Sequence, residues 1–385
     1  MIHFLLMLSV GCDPGAESKP PIVAACDPSS GNICTWAGTG DAAFYGENLP
    51  KEQSMFYFPV DIELSELGDT LIIDWNNHRI RSVDAEGLVH TEVGTPFVGD
   101  GDPVMADLSC PGVDALTVNL NHPTDAVYMR DGRILFASWH THKLRLVDPL
   151  SGLSCVHCGT TPGFVGDNGE DASTALMNQP KAVLTDANDN IYFLDSRNGR
   201  IRKLSADFTI DTFGGDGTFG YSGDGGPVDA AVFNFPTGPN PTPAGALAFN
   251  ADESVMYVAD ALNHRIRAVD MATGIIDTVV GTGTAGFSGD GGSGPSAMVN
   301  EPRDLEVGPD GRVYFVDTAN ERIRVWDPTS DRVETLAGDG ESGFAGDGGP
   351  ALDARFSTPS GLDLDMDGNV YVADTFNHRI RVIYR

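Results

Sequence analysis

The stretch VYVADTFNHRIRVIYR at residues 370–385 constrains the fold more than any other, because it recurs. Val370 and Val372, then Ile380 and Val382, put β-branched residues at alternate positions, and Asp374–Asn377 supply a turn between two strands. Related units stand at 71–84, 134–148, 191–205, 256–270 and 313–327. The aspartate position falls at 74, 138, 195, 260, 317 and 374, with serine at 138, so the period is 57 to 65 residues. Six copies at that period predict one repeated architecture, and this overrides the two or three domains that 385 residues would otherwise suggest.

Each unit is preceded by a strand opening with proline, at 58–64, 122–129, 179–186, 242–250, 301–309 and 358–367. Each is followed by a strand ending in glycine, at 88–95, 153–160, 209–217, 275–283 and 332–340. That second series has five members for six repeats, and the sixth is ICTWAGTG at 33–40. The arithmetic predicts an all-β, six-bladed β-propeller of four-stranded blades, its last blade closed by the N-terminal strand so that no edge is left free. The propeller is expected over 32–385, behind a signal at 1–12 and a flexible tether at 13–31.

The D-x-x-N-H-R-I-R corner, with P-x-G-L-D-L-D before it, resembles the NHL repeat family over Ile33 to Arg385. The resemblance implies a propeller whose proline-led strand runs innermost, along the axis. It leaves function open, since such propellers serve as binding scaffolds, sensors, RNA readers and some enzymes. Near the start, the apolar run Ile2–Val10 is too short to span a bilayer, and Gly11-Cys12 and a polar stretch follow it. This resembles a bacterial lipoprotein signal, with Cys12 as the lipidated residue; an ordinary secretory signal is the alternative. Export to the envelope or the medium is expected, with membrane contact only through the anchor.

A net charge of −31 argues against a nucleic-acid face and implies solubility and repulsion from anionic membranes and polymers.

 The expected chain is a monomer. In an exported protein disulfides are plausible: Cys26 and Cys34 can close a small loop, and Cys110 can reach Cys155 or Cys158, with the pairing open.

The corner residues Asp74, Asp195, Asp260, Asp317 and Asp374 look like acid groups, and Arg79, Arg200, Arg265, Arg322 and Arg379 like base groups. Recurrence in blade after blade assigns them to the scaffold, because a catalytic centre is asymmetric. The same holds for His78, His264 and His378. An aromatic-x-Gly-acid turn also recurs, from Phe44–Glu47 to Phe344–Asp347, and three copies continue as GDGG. It is expected to be a structural turn pinned by its aromatic ring; calcium is the alternative, although one carboxylate per loop is few for it. No other cofactor is expected.

Information about function is sought where the repeat breaks. In repeat two Ser138, Thr141 and Lys143 replace aspartate, asparagine and arginine, and Trp139, His140 and His142 crowd the corner beside the long loop 95–121. His140 and His142 would form a metal pair on a strand, but they fall in a turn and lack a third ligand. At the axis, the channel-mouth candidates are Asp61, Thr124, Asp125, Lys181, Arg303 and Asp304. The zinc histidines that amidating-lyase relatives carry directly after these prolines have no counterpart here. The expected function is therefore a non-enzymatic binding module for a protein, peptide or carbohydrate, with no nucleic-acid partner. The alternative is a metal-dependent hydrolase or lyase at the central channel.

Overall fold

The computed structural model describes residues 26, 28–65, 68–102, 104–236 and 244–385. Cys12 and residues 13–25 of the expected tether lie outside the described residues. Six antiparallel sheets follow one another along the chain. Blade 1 consists of Pro59–Leu64, Thr70–Asp74, Arg79–Val83 and Leu88–Val93, from the axis outward. Blades 2 to 6 repeat this order, with inner strands at Pro123–Tyr128, Pro180–Thr185, Leu247–Phe249, Pro302–Val307 and Gly361–Leu364. Asn32–Ala37 pairs antiparallel with Arg379–Ile383 and is the fourth strand of blade 6, so the two ends of the chain close the ring.

Two details differ from the sequence expectation. Five sheets carry a fifth strand of two residues, such as Gly349–Pro350 against Asn32–Ala37, and only blade 5 keeps four. The extra pairing arises because the chain, after each Gly-rich turn, doubles back along the outer strand before a short 3-10 turn, as at Ala351–Asp353. The inner strand of blade 4 is also shorter than 242–250. Gly245, at φ 104°, donates its N–H to the carbonyl of Arg303, so the chain there joins blade 5 sideways.

The core lies between neighbouring blades. Leu71, Ile73 and Ile80 of blade 1 pack with Ala126, Ile134 and Phe136 of blade 2, all buried. Alternation in each strand sends one apolar face to either neighbour, at about 1.5–3 kcal/mol for each large side chain buried. Disulfides join Cys26 to Cys34 and Cys110 to Cys155, which leaves Cys158 as a buried free thiol. No helix among the described residues is long and apolar enough to cross a membrane.

Candidate ligand site at the propeller axis

The corners between second and third strands share one face of the ring with the loops that enter the inner strands. Each corner aspartate is fully buried and accepts hydrogen bonds. Asp317 Oδ1 takes the N–H of Asn300 at 2.7 Å, and both its oxygens take the amide of Asn320 at 2.9 Å. Its charge partner is Arg324 at 3.2 Å, the second arginine of R-I-R. The same choice is made by Asp74 with Arg81, Asp195 with Arg202, Asp260 with Arg267 and Asp374 with Arg381. The first arginine of the corner is not the aspartate's charge partner. That arginine turns back instead: Arg322 donates to the carbonyls of Asn320 and Asp339.

The aromatic-x-Gly-acid turn lies over these arginines. Phe287 sits 3.8 Å from Arg322 and 5.0 Å from Arg324, and Asp290 reaches Arg324 at 2.7 Å. Ring and carboxylate together neutralise and cover a guanidinium that would be costly to bury alone. Blade 2 keeps this logic with other residues. Ser138 cannot pair with Arg145, and the long loop supplies Asp107, itself buried, at 2.5 Å. Asp100 of the same loop takes Lys143 at 2.5 Å.

His140 and His142 do not form a pair. They sit in a 3-10 turn and at its left-handed end, which separates their side chains. His142 Nδ1 accepts the N–H of Gln179 in blade 3. His140 Nδ1 lies 2.9 Å from Nδ1 of His122, which stacks on Trp75 with centroids 4.1 Å apart. Burial, with the charges of nearby cationic groups, pushes His78 and His142 down to about 4 and His122 to about 3. These imidazoles are neutral at pH 7. Phe58, on the seam between blades 6 and 1, lies 4.8 Å from Phe376 and 5.0 Å from His378.

Of the channel candidates, the structure brings Asp61, Asp125 and Asp304 together around a cavity of about 200 Å³. Glu63, Glu306 and Asp363 join them, and sequence reasoning missed all three. Glu63 and Glu306 stand two residues beyond an expected aspartate on the same strand face, a period-two signal that was there to be extended. Asp125 accepts from the N–H of Val183, Asp304 from Leu362 and Asp363 from Leu64, so three carboxylates also tie inner strands together. Burial, then the neighbouring charges of Asp304 and Asp125, holds Asp61 well above the carboxylate range. Burial likewise lifts Asp125 to about 6, and Asp304 and Asp363 to about 7. Lys181 does not line the cavity; it feels the charges of these aspartates, is pushed down by burial to about 8, and its ammonium donates to the carbonyl of Gly245. Thr124 and Arg303 do not line the cavity; they are buried at the corner end of their strands. A cleft of about 840 Å³ between blades 1 and 2 shares Glu63, Leu64 and Tyr128 with the channel and opens on the opposite face. Among the described residues no group of three or more His, Cys, Asp or Glu is arranged to hold a metal ion.

A family model described as NHL repeat matches residues 356–383. The protein SUPPRESSOR OF QUENCHING 1, chloroplastic, from Arabidopsis thaliana is 29% identical over 274 residues, covering 68% of this chain and 25% of that protein. NHL repeat-containing protein 2 from Homo sapiens is 25% identical over 370 residues, 88% of this chain and 48% of that protein. The chain thus spans between a quarter and a half of the length of these relatives. Among solved structures, an auxiliary nutrient binding protein from Bacteroides ovatus superimposes with a TM-score of 0.60 at 17% identity, over 91% of this chain and 75% of that one. At that identity the likeness is one of fold. The recurring corner, the closed ring of six blades and the matched repeat make the chain a six-bladed β-propeller that carries an NHL repeat and resembles NHL repeat-containing proteins.

Proposed function

We propose that the chain is an exported, cell-envelope binding module that holds a protein, peptide or carbohydrate ligand at the propeller axis without turning it over. One observation carries this reading. The polar groups that recur in the blades spend their hydrogen bonds on one another, as Asp317 does with Asn300, Asn320 and Arg324. The groups that differ between blades, the carboxylates Asp61, Glu63, Asp125, Asp304, Glu306 and Asp363, collect around the axial cavity. A repeat scaffold uses its constant residues for itself and leaves the variable ones for recognition. Export is supported by the two disulfides, which persist in oxidising compartments, and Cys12 would carry the lipid. The nutrient-binding description of the Bacteroides ovatus protein is compatible with a propeller used for binding.

The test is to incubate the purified protein with fractionated envelope extract and follow hydrogen exchange. Ligand should protect the segments that enter the inner strands of blades 1, 2 and 3, and should be recovered with its mass unchanged. A ligand returned cleaved would favour the metal-dependent hydrolase or lyase instead. Protection confined to outer strands would overturn the axial site.

A further inference from the structure

Four residues that break the repeat converge on the seam between blades 1 and 2. The residue after the corner-aspartate position is Ser, Ala or Thr in four copies, but is Trp75 in blade 1 and Trp139 in blade 2. No other repeat has histidine where His122 precedes its inner-strand proline, or where His140 stands two places after the corner-aspartate position. The structure puts the four together. Trp75 lies against His122 with centroids 4.1 Å apart, and Trp139 stacks on His140 at 4.3 Å and 19°. The imidazoles braced in this way bring their Nδ1 atoms to 2.9 Å, and Oδ1 of Asn121 lies 3.3 Å from Nδ1 of His140. On its other side His122 sets Nε2 at 3.4 Å from Oδ1 of Asn76, which keeps the ring proton there and leaves the Nδ1 lone pair for the seam. Asn121, His122 and His140 are all half-buried, within reach of water and small ions.

We propose that Nδ1 of His122, Nδ1 of His140 and Oδ1 of Asn121 form a site for a divalent transition-metal ion of the zinc kind, with water in the fourth position. Ligand atoms around a tetrahedral zinc, at bonds of about 2.0–2.2 Å, stand about 3.3 Å from one another. The separations of 2.9 and 3.3 Å are close to two edges of that polyhedron, and the shorter opens by a few tenths of an ångström to admit the ion. Without an ion, His140 donates its Nδ1 proton to His122. To bind, His140 carries that proton on Nε2 instead, a tautomer change that leaves its net charge at zero. Nitrogen donors select zinc and its neighbours over calcium and magnesium, which take oxygen. Other seams close with one side chain on a backbone N–H, as His142 does with Gln179 and His264 with Glu301, so closure alone does not require a braced imidazole pair. Two imidazoles and a carboxamide leave a coordination position open for an oxygen or nitrogen of a bound ligand. The site lies apart from the carboxylate cavity, so it goes beyond the axial reading and does not depend on it.

The full chain, stripped with a chelator, is titrated with zinc chloride while the imidazole nitrogens are followed by NMR. One equivalent should bind and move Nδ1 of His122 and His140 together, and cobalt(II) in its place should show the ligand-field absorption of a four-coordinate ion. His122→Gln and His140→Gln should each weaken binding about tenfold or more, and so should Asn76→Ala, which removes only the partner of His122 Nε2. His90→Gln, at a histidine held by Asp84, should leave binding as in the parent. Thermal melts verify that each variant is folded, and where one is not, the nitrogen resonances of the parent decide. If no equivalent binds, or if zinc binds while Nδ1 of His122 and His140 stay unmoved, the protein holds an adventitious ion only and the proposal falls. It falls as well if folded His122→Gln and His140→Gln bind zinc as the parent does.

Discussion

Arg145 is a fully buried guanidinium whose blade has lost the aspartate that the other five use. Asp107 replaces it from 38 residues away, at 2.5 Å. Removing Asp107 would leave the buried Arg145 with only the exposed Asp100 at 3.3 Å, and breaking a buried pair costs about 3–5 kcal/mol. Asp107→Asn should therefore lower the denaturation midpoint as much as Asp317→Asn does, although it lies outside every repeat. Adding Ser138→Asp and Thr141→Asn rebuilds the standard corner and should recover at least part of that loss. Equal stability of Asp107→Asn and the parent, by chemical denaturation, would sink this account. The departures at Ser138, Thr141 and Lys143 were legible in the sequence, and so was the long loop beside them. The compensating residue was not, because a contact across an irregular loop leaves no periodic trace. For the same reason the choice between the two arginines of R-I-R needed coordinates: Asp74 lies opposite Arg79 in the ladder but pairs with Arg81.

At the scale of the element, the corner works as a latch between blades. Its last residue is left-handed at φ 52–60° in all six copies, and L-residues pay about 1–2 kcal/mol for that conformation. The gain lies in the side chain. Nδ1 of His78, His142, His264 and His378 accepts the N–H of the residue entering the next blade, and Glu321 does so with its carboxylate. Only a neutral imidazole has the lone pair this needs. The folded-state value of His78, about 4, lies below the ordinary 6.5, so its contribution is present above pH 6.5 and lost as pH falls towards 4. His78→Glu copies the Glu321 latch and should flatten the loss of stability between pH 6.5 and 5 relative to the parent. Thermal melts at stepped pH measure it, and an unchanged slope would refute the latch. The sequence marked His78, His264 and His378 as scaffold, which is how the structure uses them, and His142 of the divergent repeat makes the same contact. Their partner stayed hidden because the receiving residue varies, from Phe58 to His122 to Gln179, and only its backbone takes part.

For the whole molecule, periodicity made the fold almost entirely legible, since six copies of one strand pattern leave few arrangements that bury every apolar face. What it could not report is the sum of charge where six inner strands meet. Asp61, Glu63, Asp125, Asp304, Glu306 and Asp363 face one narrow cavity, and Lys181 feels the charges of Asp304, Asp125 and Asp61 from outside its lining. Folding therefore draws protons in. Asp304 and Asp363, lifted to about 7, bind protons near neutrality that the unfolded chain releases near 4. A raised carboxylate stabilises fully below its unfolded value, and the benefit is lost as pH rises through the folded one, here from about pH 4 to 8. Glu306 is the clearest probe. Burial and the charges of Asp363 and Asp304 hold it well above the usual range, and among the described residues none donates a hydrogen bond that offsets them. Glu306→Gln removes one of these charges without changing shape. It should raise stability more at pH 8 than at pH 5, because only an ionised carboxylate meets the repulsion of its neighbours. A variant that destabilises equally at both pH values would mean that Glu306 is paired, and that the axis does not store protons.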